Sequence, residues 1–570
     1  MLDEFLNQAQ IGQPVWLPEL RERFSREASA VPLVLRVRSF DALTRDYKHR
    51  LPRWSNDAER ALVFDYLCAT VYNTLSVCGG YEVAFFIDPR ETEALSLLAR
   101  LPETFQLRSD RRRGVGKVVS IANRLSRAFG TPPFSFVTRD MADYAPIPAE
   151  TPAHAPLVKR LREVCAAAER ANCVGVDVGG TDVKLAASRR GKLIAVKEYD
   201  WNPASFGRIE ELIDPILLLT RLMRACLAMG GADAALEAAL RRDASLAEIA
   251  AAVSDAERRF DCDVLDAVGV SFPDIVLRDR IVGGETPKTG GVRRCAADYE
   301  AEFARLGALR ERLLALCREG GGCRICNDGS MAAFTAAAEL ASGANSEAAE
   351  RGVVAHSLGT DLGTGILGAD AAIPQLPLEL YDTWVDLGSA SAASLPPEDL
   401  RATRNENSGL PGARRYLGQA AAYRLAYALD PRLLDGFIEA RGGVLRIRTE
   451  PDDLRKPCLE HLMRAAAEGE PSAAEVFRQI GRNLAVVSRE LEYLLSPETD
   501  ARWLFGRFVK SERCFSLMRE GFAEGAPHLR LENGGDGLAN TSLMRQLAAR
   551  GDATVAQFAQ AVGAVCYALT

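Results

Sequence analysis

The segment GVDVGGTDVK, residues 175–184, restricts the fold more than any other part of this chain. Short apolar runs flank Gly179 and Gly180, a pattern typical of a β-hairpin with a glycine turn. The same two glycines let an anion approach backbone N–H groups without a Cβ in the way. In that second interpretation Thr181 adds a hydroxyl donor and Lys184 neutralises phosphate charge, and the stretch alone fits both interpretations.

Asp177 lies at the end of the first predicted strand of this hairpin. A carboxylate in this position can hold a water molecule bound to Mg²⁺, an ion that keeps several of its waters in proteins. The sequence therefore makes Asp177 a candidate magnesium residue, bound through water.

A second glycine loop, LGTDLGTG at residues 358–365, lies far along the chain. It also reads as two strands around a glycine turn. Two such turns are suited to holding opposite ends of one polyphosphate through backbone N–H groups. The candidate phosphate residues of this loop are Gly359, Thr360, Gly363, Thr364 and Gly365.

Between these loops, Asn327 and Asp328 stand where a strand hands over to a helix. A carboxylate there can accept the proton of a reacting hydroxyl while the neighbouring amide holds the substrate. Both residue types also favour the N-cap of a helix, so a purely structural role stays open.

Together these motifs resemble those of the actin-like sugar kinases, the hexokinase and ROK-type group. The stretch at 175–184 resembles their first phosphate motif, Asn327-Asp328 their catalytic Asn-Asp pair, and 358–365 their second phosphate motif. The resemblance covers about residues 173–570. It implies ATP and Mg²⁺ as cofactors, Asp328 as general base, and nucleotide contacts from both glycine turns.

The same resemblance implies an α/β fold of two ribonuclease-H-like, actin-like lobes with a cleft between them. The first lobe is expected at 173–345 and the second at 346–570. An additional N-terminal α+β domain of unassigned role is expected at 1–150, and a proline-rich join follows it.

Three further positions follow from weaker matches to the family. The Thr-Lys loop that contacts the sugar in hexokinases is matched by Thr286, Lys288 and Thr289, and the adenosine turn by Gly506. The ROK zinc motif and Glu-Gly-His sugar motif are missing from 370–400. Glu379 is the candidate sugar-contacting acid in that stretch, with a solvated strand acid as the alternative.

The predicted function is ATP-dependent phosphorylation of a hydroxyl on a sugar or polyol. One alternative is a non-catalytic regulator that binds a sugar or nucleotide. Another is an actin-like activator ATPase with an iron–sulfur cluster, for which Cys323 and Cys326 would supply two of four ligands.

Composition and charge limit the classes of molecule that this protein is expected to bind. The net charge of −7 does not favour nucleic acid, and the basic cluster at 111–113 with Lys117 lacks the spacing of a Walker A loop. No apolar run approaches the roughly 20 residues of a membrane helix. We therefore expect a cytoplasmic protein with a small-molecule substrate, no nucleic-acid or membrane partner, and a homodimer left open.

Hydrophobic periodicity predicts several elements outside the motifs. Helices are expected at 59–78, 299–319, 329–343 and 555–569. A strand is expected at 81–87.

Overall fold

The computed structural model describes residues 1–40, 43–106, 114–147, 156–284, 286–388, 395–405, 408–534 and 538–570. The chain forms two compact units, each built from segments that are distant in sequence. Unit 1 contains Met1–Thr151, His356–Thr364 and Leu376–Asn533, and unit 2 contains Pro152–Ala355, Gly365–Gln375 and Gly534–Thr570. The limits of the three domains expected from the sequence stay a prediction.

The described strands, in chain order, are β1 (Val31–Arg38), β2 (Thr44–Leu51), β3 (Glu82–Ile87), β4 (Ser135–Asp140), β5 (Asn172–Val178), β6 (Asp182–Arg189), β7 (Lys192–Asp200), β8 (Ala267–Phe272), β9 (Val276–Leu277), β10 (Arg280–Ile281), β11 (Gly322–Asn327), β12 (Val353–Leu358), β13 (Leu362–Leu367), β14 (Ile438–Arg441), β15 (Val444–Ile447), β16 (Ala501–Gly506) and β17 (Arg530–Asn533). The described α-helices are α1 (Leu2–Gln10), α2 (Leu17–Ser25), α3 (Asp57–Val77), α4 (Thr92–Leu98), α5 (Leu101–Thr104), α6 (Lys117–Phe129), α7 (Leu157–Ala168), α8 (Glu210–Met229), α9 (Ala234–Leu240), α10 (Leu246–Arg259), α11 (Gly290–Cys295), α12 (Tyr299–Ala304), α13 (Leu309–Leu314), α14 (Asp328–Ser342), α15 (Gly418–Leu429), α16 (Arg455–Ala467), α17 (Pro471–Leu495), α18 (Glu512–Gly525), α19 (Ser542–Ala548) and α20 (Val555–Tyr567).

The centre of unit 2 is a five-stranded sheet with the order β11-β8-β5-β6-β7. β11, β8 and β5 are parallel, whereas β6 is antiparallel to β5 and β7 is antiparallel to β6. One apolar cluster joins Val174 and Val176 of β5 to Leu219 of α8 and Val253 of α10. Because this cluster lies on the sheet, it fixes the strand ends from which the candidate site residues project.

Helix α20 covers the sheet at close range. A Cβ at Gly175 of β5 would collide with the carbonyl oxygen of Ala561, and one at Gly269 of β8 would collide with that of Ala564. Glycine is therefore required at both positions, because any side chain would push the helix off the sheet. β5 is buried on both faces, as its nearly continuous apolar sequence indicates.

Two four-stranded sheets contain residues of unit 1. One has the order β2-β1-β3-β4, in which β1 is antiparallel to β2 and β3, and β3 is parallel to β4. The other has the order β13-β12-β16-β17, with β16 parallel to β17. The boundary between the two units falls within β12 and β13.

Buried polar contacts tie residues 1–150 to the rest of unit 1. Asp382 accepts a hydrogen bond from the Tyr72 hydroxyl at 2.7 Å and pairs with Lys117 Nζ at 2.8 Å. Arg21 of α2 forms two hydrogen bonds, at 2.7 and 3.1 Å, with the carboxylate of Glu490 in α17, whose side chain has no exposed surface. These charges are buried only as pairs, so the contacts hold the segments of this unit together.

The periodicity-based predictions are mostly confirmed as α3, β3, α14 and α20. The single helix expected over 299–319 is wrong, because this stretch forms α12, a 3₁₀ turn containing Gly307, and α13. The basic residues 111–113 lie outside the described residues, whereas Lys117 is the buried partner of Asp382. No helix within the described ranges is both long and apolar enough to span a bilayer.

Candidate functional site

The β5–β6 turn in unit 2 has the hairpin geometry that its sequence predicts. Gly179 N–H donates to the Asp182 carbonyl oxygen at 2.8 Å, and a Cβ on Gly179 would come within 2.7 Å of that oxygen. Trp201, just after β7, holds the other side of the turn. Its indole N–H donates to Gly179 O at 3.1 Å, and its backbone N–H donates to Thr181 O at 3.0 Å.

This arrangement leaves donors at the tip of the turn. Gly180 and Thr181 are exposed, and their backbone N–H groups have no hydrogen-bond acceptor among the described residues. Consecutive N–H groups on a glycine turn form a concavity that suits an anion. The turn is therefore both a hairpin and a candidate phosphate-binding site, so the two interpretations of its sequence are compatible.

Lys288 supplies positive charge next to these donors. A Cβ placed on Gly180 would lie 3.2 Å from Lys288 Cε, so the lysine side chain runs directly past the turn. Within the described part of the chain its amine has no ion-pair partner. A cation and two N–H donors thus lie together on the surface of unit 2.

Asp274 organises the loop that carries Lys288. The buried Asp274 carboxylate accepts a hydrogen bond from Gly284 N–H at 2.9 Å. The Tyr299 hydroxyl contacts Gly284 O at 2.5 Å and Thr289 Oγ1 at 2.9 Å, and Thr289 is buried. Thr289 therefore serves the loop itself, whereas Lys288 remains partly exposed.

Asp177 lies at the carboxyl end of β5 and accepts a hydrogen bond from Ser271 Oγ of β8 at 2.8 Å. Burial raises the pKa of Asp177 to about 6, and the negative charge of Asp328 acts in the same direction. The Ser271 hydrogen bond and the charge of Lys184 oppose this rise. Two carboxylates from different strand ends therefore interact, which is the donor chemistry that Mg²⁺ prefers.

Asn327 and Asp328 join β11 to α14. Asn327 is the N-cap, as one interpretation of the sequence predicts: its Oδ1 accepts from Gly329 N–H at 2.8 Å, and its Nδ2 donates to Asp274 O at 3.0 Å. Asp328 Oδ1 also accepts from Gly329 N–H, at 2.9 Å. Among the described residues no group donates a hydrogen bond to Asp328 Oδ2.

Lys184 has a different environment from the one expected. Its amine forms an ion pair with Asp182. The amine also lies 4.0 Å from Oε1 of Glu198, the residue opposite Lys184 on β7. Side chains two residues apart in a strand lie on the same face, which brings Asp182 and Lys184 together. The positive charge of Lys184 is thus already neutralised, and Lys288 is better placed to meet a phosphate.

The second glycine turn is described within unit 1. Gly359 N–H donates to Asp361 O at 3.1 Å, and the Asp361 carboxylate pairs with Arg414 at 2.9 Å. Thr360 is exposed at the tip. Thr364 points inward, because its Oγ1 lies 3.0 Å from Nδ1 of the buried His356.

The remaining candidates are placed by close backbone packing. Gly365, in unit 2, lies against the start of α14, where a Cβ would collide with Gly329 O. Gly506, in unit 1, has φ +104 and lies against Leu358 O. Glu379, also in unit 1, hydrogen-bonds with Tyr381, and its backbone N–H donates to Ser76 O.

Cys323 and Cys326 are buried in β11. Burial raises the pKa of Cys323 to about 12 and that of Cys326 well above its usual value. Across the described ranges, no group of three or more His, Cys, Asp or Glu side chains is placed to hold a metal.

Three supporting residues were not predicted from the sequence. Asp274 follows a buried strand, the same signal that singled out Asp177 and Asp328, so the pattern could have found it. Ser271 and Trp201 carry no such signal, because their roles depend on which strands become neighbours.

Of the known proteins compared with this chain, only solved structures are similar to it. No family profile and no curated protein matches this chain. A ROK-family glucokinase from Streptomyces griseus, solved with glucose and AMPPNP, is 18% identical over 70% of this chain and 99% of its own, with a TM-score of 0.36. A ROK hexokinase from Thermus thermophilus is 17% identical over 70% and 97%, with a TM-score of 0.39.

A ROK-family transcriptional regulator, described as a homolog of the Escherichia coli MLC protein, is 14% identical over 70% of this chain and 81% of its own, with a TM-score of 0.39. The structure is thus similar to those of ROK-family sugar kinases and of a ROK-family regulator. Because these TM-scores lie below 0.5, the function is inferred from the geometry of the site itself.

Proposed function

We propose that this protein is an ATP-dependent kinase that phosphorylates a hydroxyl group of a sugar or polyol in the cytoplasm. One arrangement in unit 2 carries the proposal. The N–H groups of Gly180 and Thr181, which have no acceptor among the described residues, lie beside the side chain of Lys288, whose amine has no ion-pair partner among those residues. Asp177 interacts with Asp328, which directly follows β11 of the same sheet. Phosphoryl transfer needs these groups, because it depends on positioning and charge neutralisation.

The strand order supports an actin-like lobe. Counted along the chain from β5, the order across the sheet is 3-2-1-4-5, with the second strand antiparallel to the first. This is the order of a ribonuclease-H-like lobe. A second such lobe around the β12–β13 turn, with a cleft between the lobes, is part of the proposal.

In the proposed mechanism Asp328 is the general base. Its Oδ1 is held by the first turn of α14, so Oδ2 faces the acceptor hydroxyl and takes its proton. The hydroxyl oxygen then forms a bond to the γ-phosphorus while the bond to the bridging oxygen of ADP breaks. Lys288 and the N–H groups of Gly180 and Thr181 stabilise the negative charge that develops on the transferred group.

The acidic pair fits Mg²⁺, because this ion is bound by one or two carboxylates together with substrate phosphates. Asp177 would hold it through water, and Asp328 would contribute charge from the carboxyl end of β11, at the same edge of the sheet. When bound, the ion would neutralise negative charge on the phosphate oxygens. Ser271 orients Asp177 for this role through its 2.8 Å hydrogen bond.

The other candidates divide into nucleotide and substrate contacts. Gly359, Thr360 and Gly363 would bind the outer phosphates through a second turn, and Gly506 would pass under the adenosine. Thr286 and Asn327 are proposed to hold further hydroxyls of the acceptor. Glu379 is a proposed sugar contact with less support, since Tyr381 already engages its carboxylate.

The direct test is an ADP-release assay over hexoses, amino sugars and polyols, with ATP and Mg²⁺. We expect at least one acceptor to raise ADP release above the rate without acceptor. Thermal-shift measurements with the same compounds separate the alternatives. Stabilisation by a sugar without ADP release would replace the kinase proposal with a binding regulator.

A further inference from the structure

A cavity of about 300 Å³ lies in unit 2, lined by none of the proposed site residues. Two cysteines line it, Cys165 of α7 and Cys566 of α20, together with Arg162 and Arg545. Cys165 is partly exposed and Cys566 is buried. The cavity therefore brings two thiols, two arginines and the carboxylate of Glu169 to one place that a small molecule can reach.

The two thiols contact each other through a hydrogen bond. This contact lowers the pKa of Cys165, with help from the Ser342 hydroxyl, and it raises the pKa of Cys566. Cys173, which lies inside the sheet, differs from Cys165 in its acidity, since burial raises the pKa of Cys173 to about 12. Thiolate character and access together decide which cysteine reacts, and both favour Cys165 over Cys173.

We propose that Cys165 and Cys566 form a reversible dithiol–disulfide pair that peroxides oxidise. The thiolate sulfur of Cys165 attacks one peroxide oxygen, the O–O bond breaks, and a sulfenic acid and hydroxide are formed. The thiol of Cys566 then attacks the Cys165 sulfur, the S–O bond breaks, and the disulfide and water are formed. Overall two thiols and one hydrogen peroxide give one disulfide and two waters.

The disulfide would link two helices, α7 and α20, next to the sheet that carries the candidate site. α7 leads directly into β5, and α20 packs on β5 and β8 through Gly175 and Gly269. Gln560 of α20 also contacts the hydroxyl of Ser271 at 3.1 Å. Oxidation would join covalently the helix that enters the central strand and the helix that covers it.

The test uses the full-length reduced protein, treated with graded hydrogen peroxide, alkylated and digested with trypsin without reduction. Cleavage after arginine places Cys165 in the peptide 163–170 and Cys566 in the peptide 551–570, each with a single cysteine. We expect mass spectrometry to detect these two peptides joined, two hydrogen atoms lighter than their sum. Dithiothreitol should restore the separate peptides.

Cys165→Ser should eliminate the joined species and leave Cys566 open to alkylation, and because residue 165 is partly exposed this variant does not depend on refilling the core. The matched control is Cys295→Ser, which removes an exposed cysteine outside the cavity and should leave the joined species unchanged. Oxidation of Cys295 while Cys165 and Cys566 both remain open to alkylation would overturn the proposal. Joining of either cysteine to a third one instead would also overturn it.

Discussion

Lys288 lies against Gly180, close enough that a methyl group on the glycine would stand 3.2 Å from Lys288 Cε. The two residues come from distant parts of the chain, yet their contact places a cation beside two N–H donors that have no acceptor among the described residues. Neither Lys288 nor Gly180 alone would provide both the positive charge and the backbone donors. Their juxtaposition is the relationship on which the proposed phosphate site depends.

Replacing Lys288 by Met should weaken ATP binding, because the phosphate loses its nearby cation while the aliphatic stem is kept. A charge-assisted contact of this kind contributes about 1.5–3 kcal/mol, or roughly 10- to 150-fold in affinity. Isothermal titration calorimetry with a non-hydrolysable ATP analogue measures the change. Lys192→Met, at an exposed position of β7 in the same sheet, is the matched control and should bind normally. Equal affinities of the two variants would remove Lys288 from the site.

Asp328→Asn should abolish phosphorylation while nucleotide affinity changes little. The amide keeps the size and the helix-start geometry of the aspartate but cannot take the hydroxyl proton. Loss of general base catalysis typically costs 10²- to 10⁴-fold in rate. Single-turnover ADP formation, with nucleotide affinity measured in parallel, tests this expectation. A variant with near wild-type turnover would show that Asp328 is not the base.

Metal-dependent nucleotide binding should depend on the protonation of Asp177. Its pKa is raised to about 6, so the carboxylate becomes protonated as the pH falls through 6 and then loses its affinity for a cation. We expect the Mg²⁺ requirement for analogue binding to increase up to about tenfold per pH unit below 6. Because the nucleotide also titrates near this pH, the informative quantity is the difference between wild type and Asp177→Asn. Parallel pH profiles for both proteins would contradict the expectation.

Arg21→Met should strongly destabilise unit 1. The variant leaves the Glu490 carboxylate, which has no exposed surface, without its ion-pair partner. Breaking a buried pair in this way typically costs about 3–5 kcal/mol. Arg23→Met, in an exposed pair with Glu4, is the control and should cost at most about 1 kcal/mol. Denaturant unfolding compares the two variants, and similar midpoints would show that the Arg21 pair is not needed for stability.

His49 should contribute to acid sensitivity. It is buried between the Tyr66 and Tyr493 hydroxyls, and burial, with the charge of Arg21, lowers its pKa to about 3. An unfolded histidine has a pKa near 6.5, so between about 3 and 6.5 the unfolded state binds more protons. Stability contributed by neutral His49 is therefore present above pH 6.5 and is lost as the pH falls, by up to about 1.4 kcal/mol per pH unit.

His49→Gln should flatten the decline in unfolding free energy between pH 6.5 and 4. His528→Gln, which changes an exposed histidine, is the control and should keep the wild-type slope. Identical slopes for all three proteins would exclude a role for His49 in acid unfolding.

The motifs of unit 2 could be predicted because their signals are local. Two glycines between apolar runs specify the β5–β6 hairpin, and Asn327 before small residues specifies the start of α14. Local signals did not predict which lysine lies beside the glycine turn. Sequence proximity favoured Lys184, whereas the register of β6 and β7 gives that amine to Asp182 and Glu198.

Other features depend on contacts that a single sequence does not reveal. Thr289 looked like a substrate contact, but Tyr299 and Gly284 bury its hydroxyl. Thr364 looked like a phosphate ligand, but its position in β13 turns its hydroxyl toward His356. The buried pair of Arg21 and Glu490 joins segments whose proximity no local pattern indicates.

The glycines under α20 have a consequence for biosynthesis. A ribosome adds about 5–20 residues per second, so on the order of ten seconds or more separate the emergence of β11 from that of residues 555–567. During this interval the sheet face around Gly175 and Gly269 has no helix to cover it. The nascent chain thus exposes an apolar sheet face until the last helix has been synthesised.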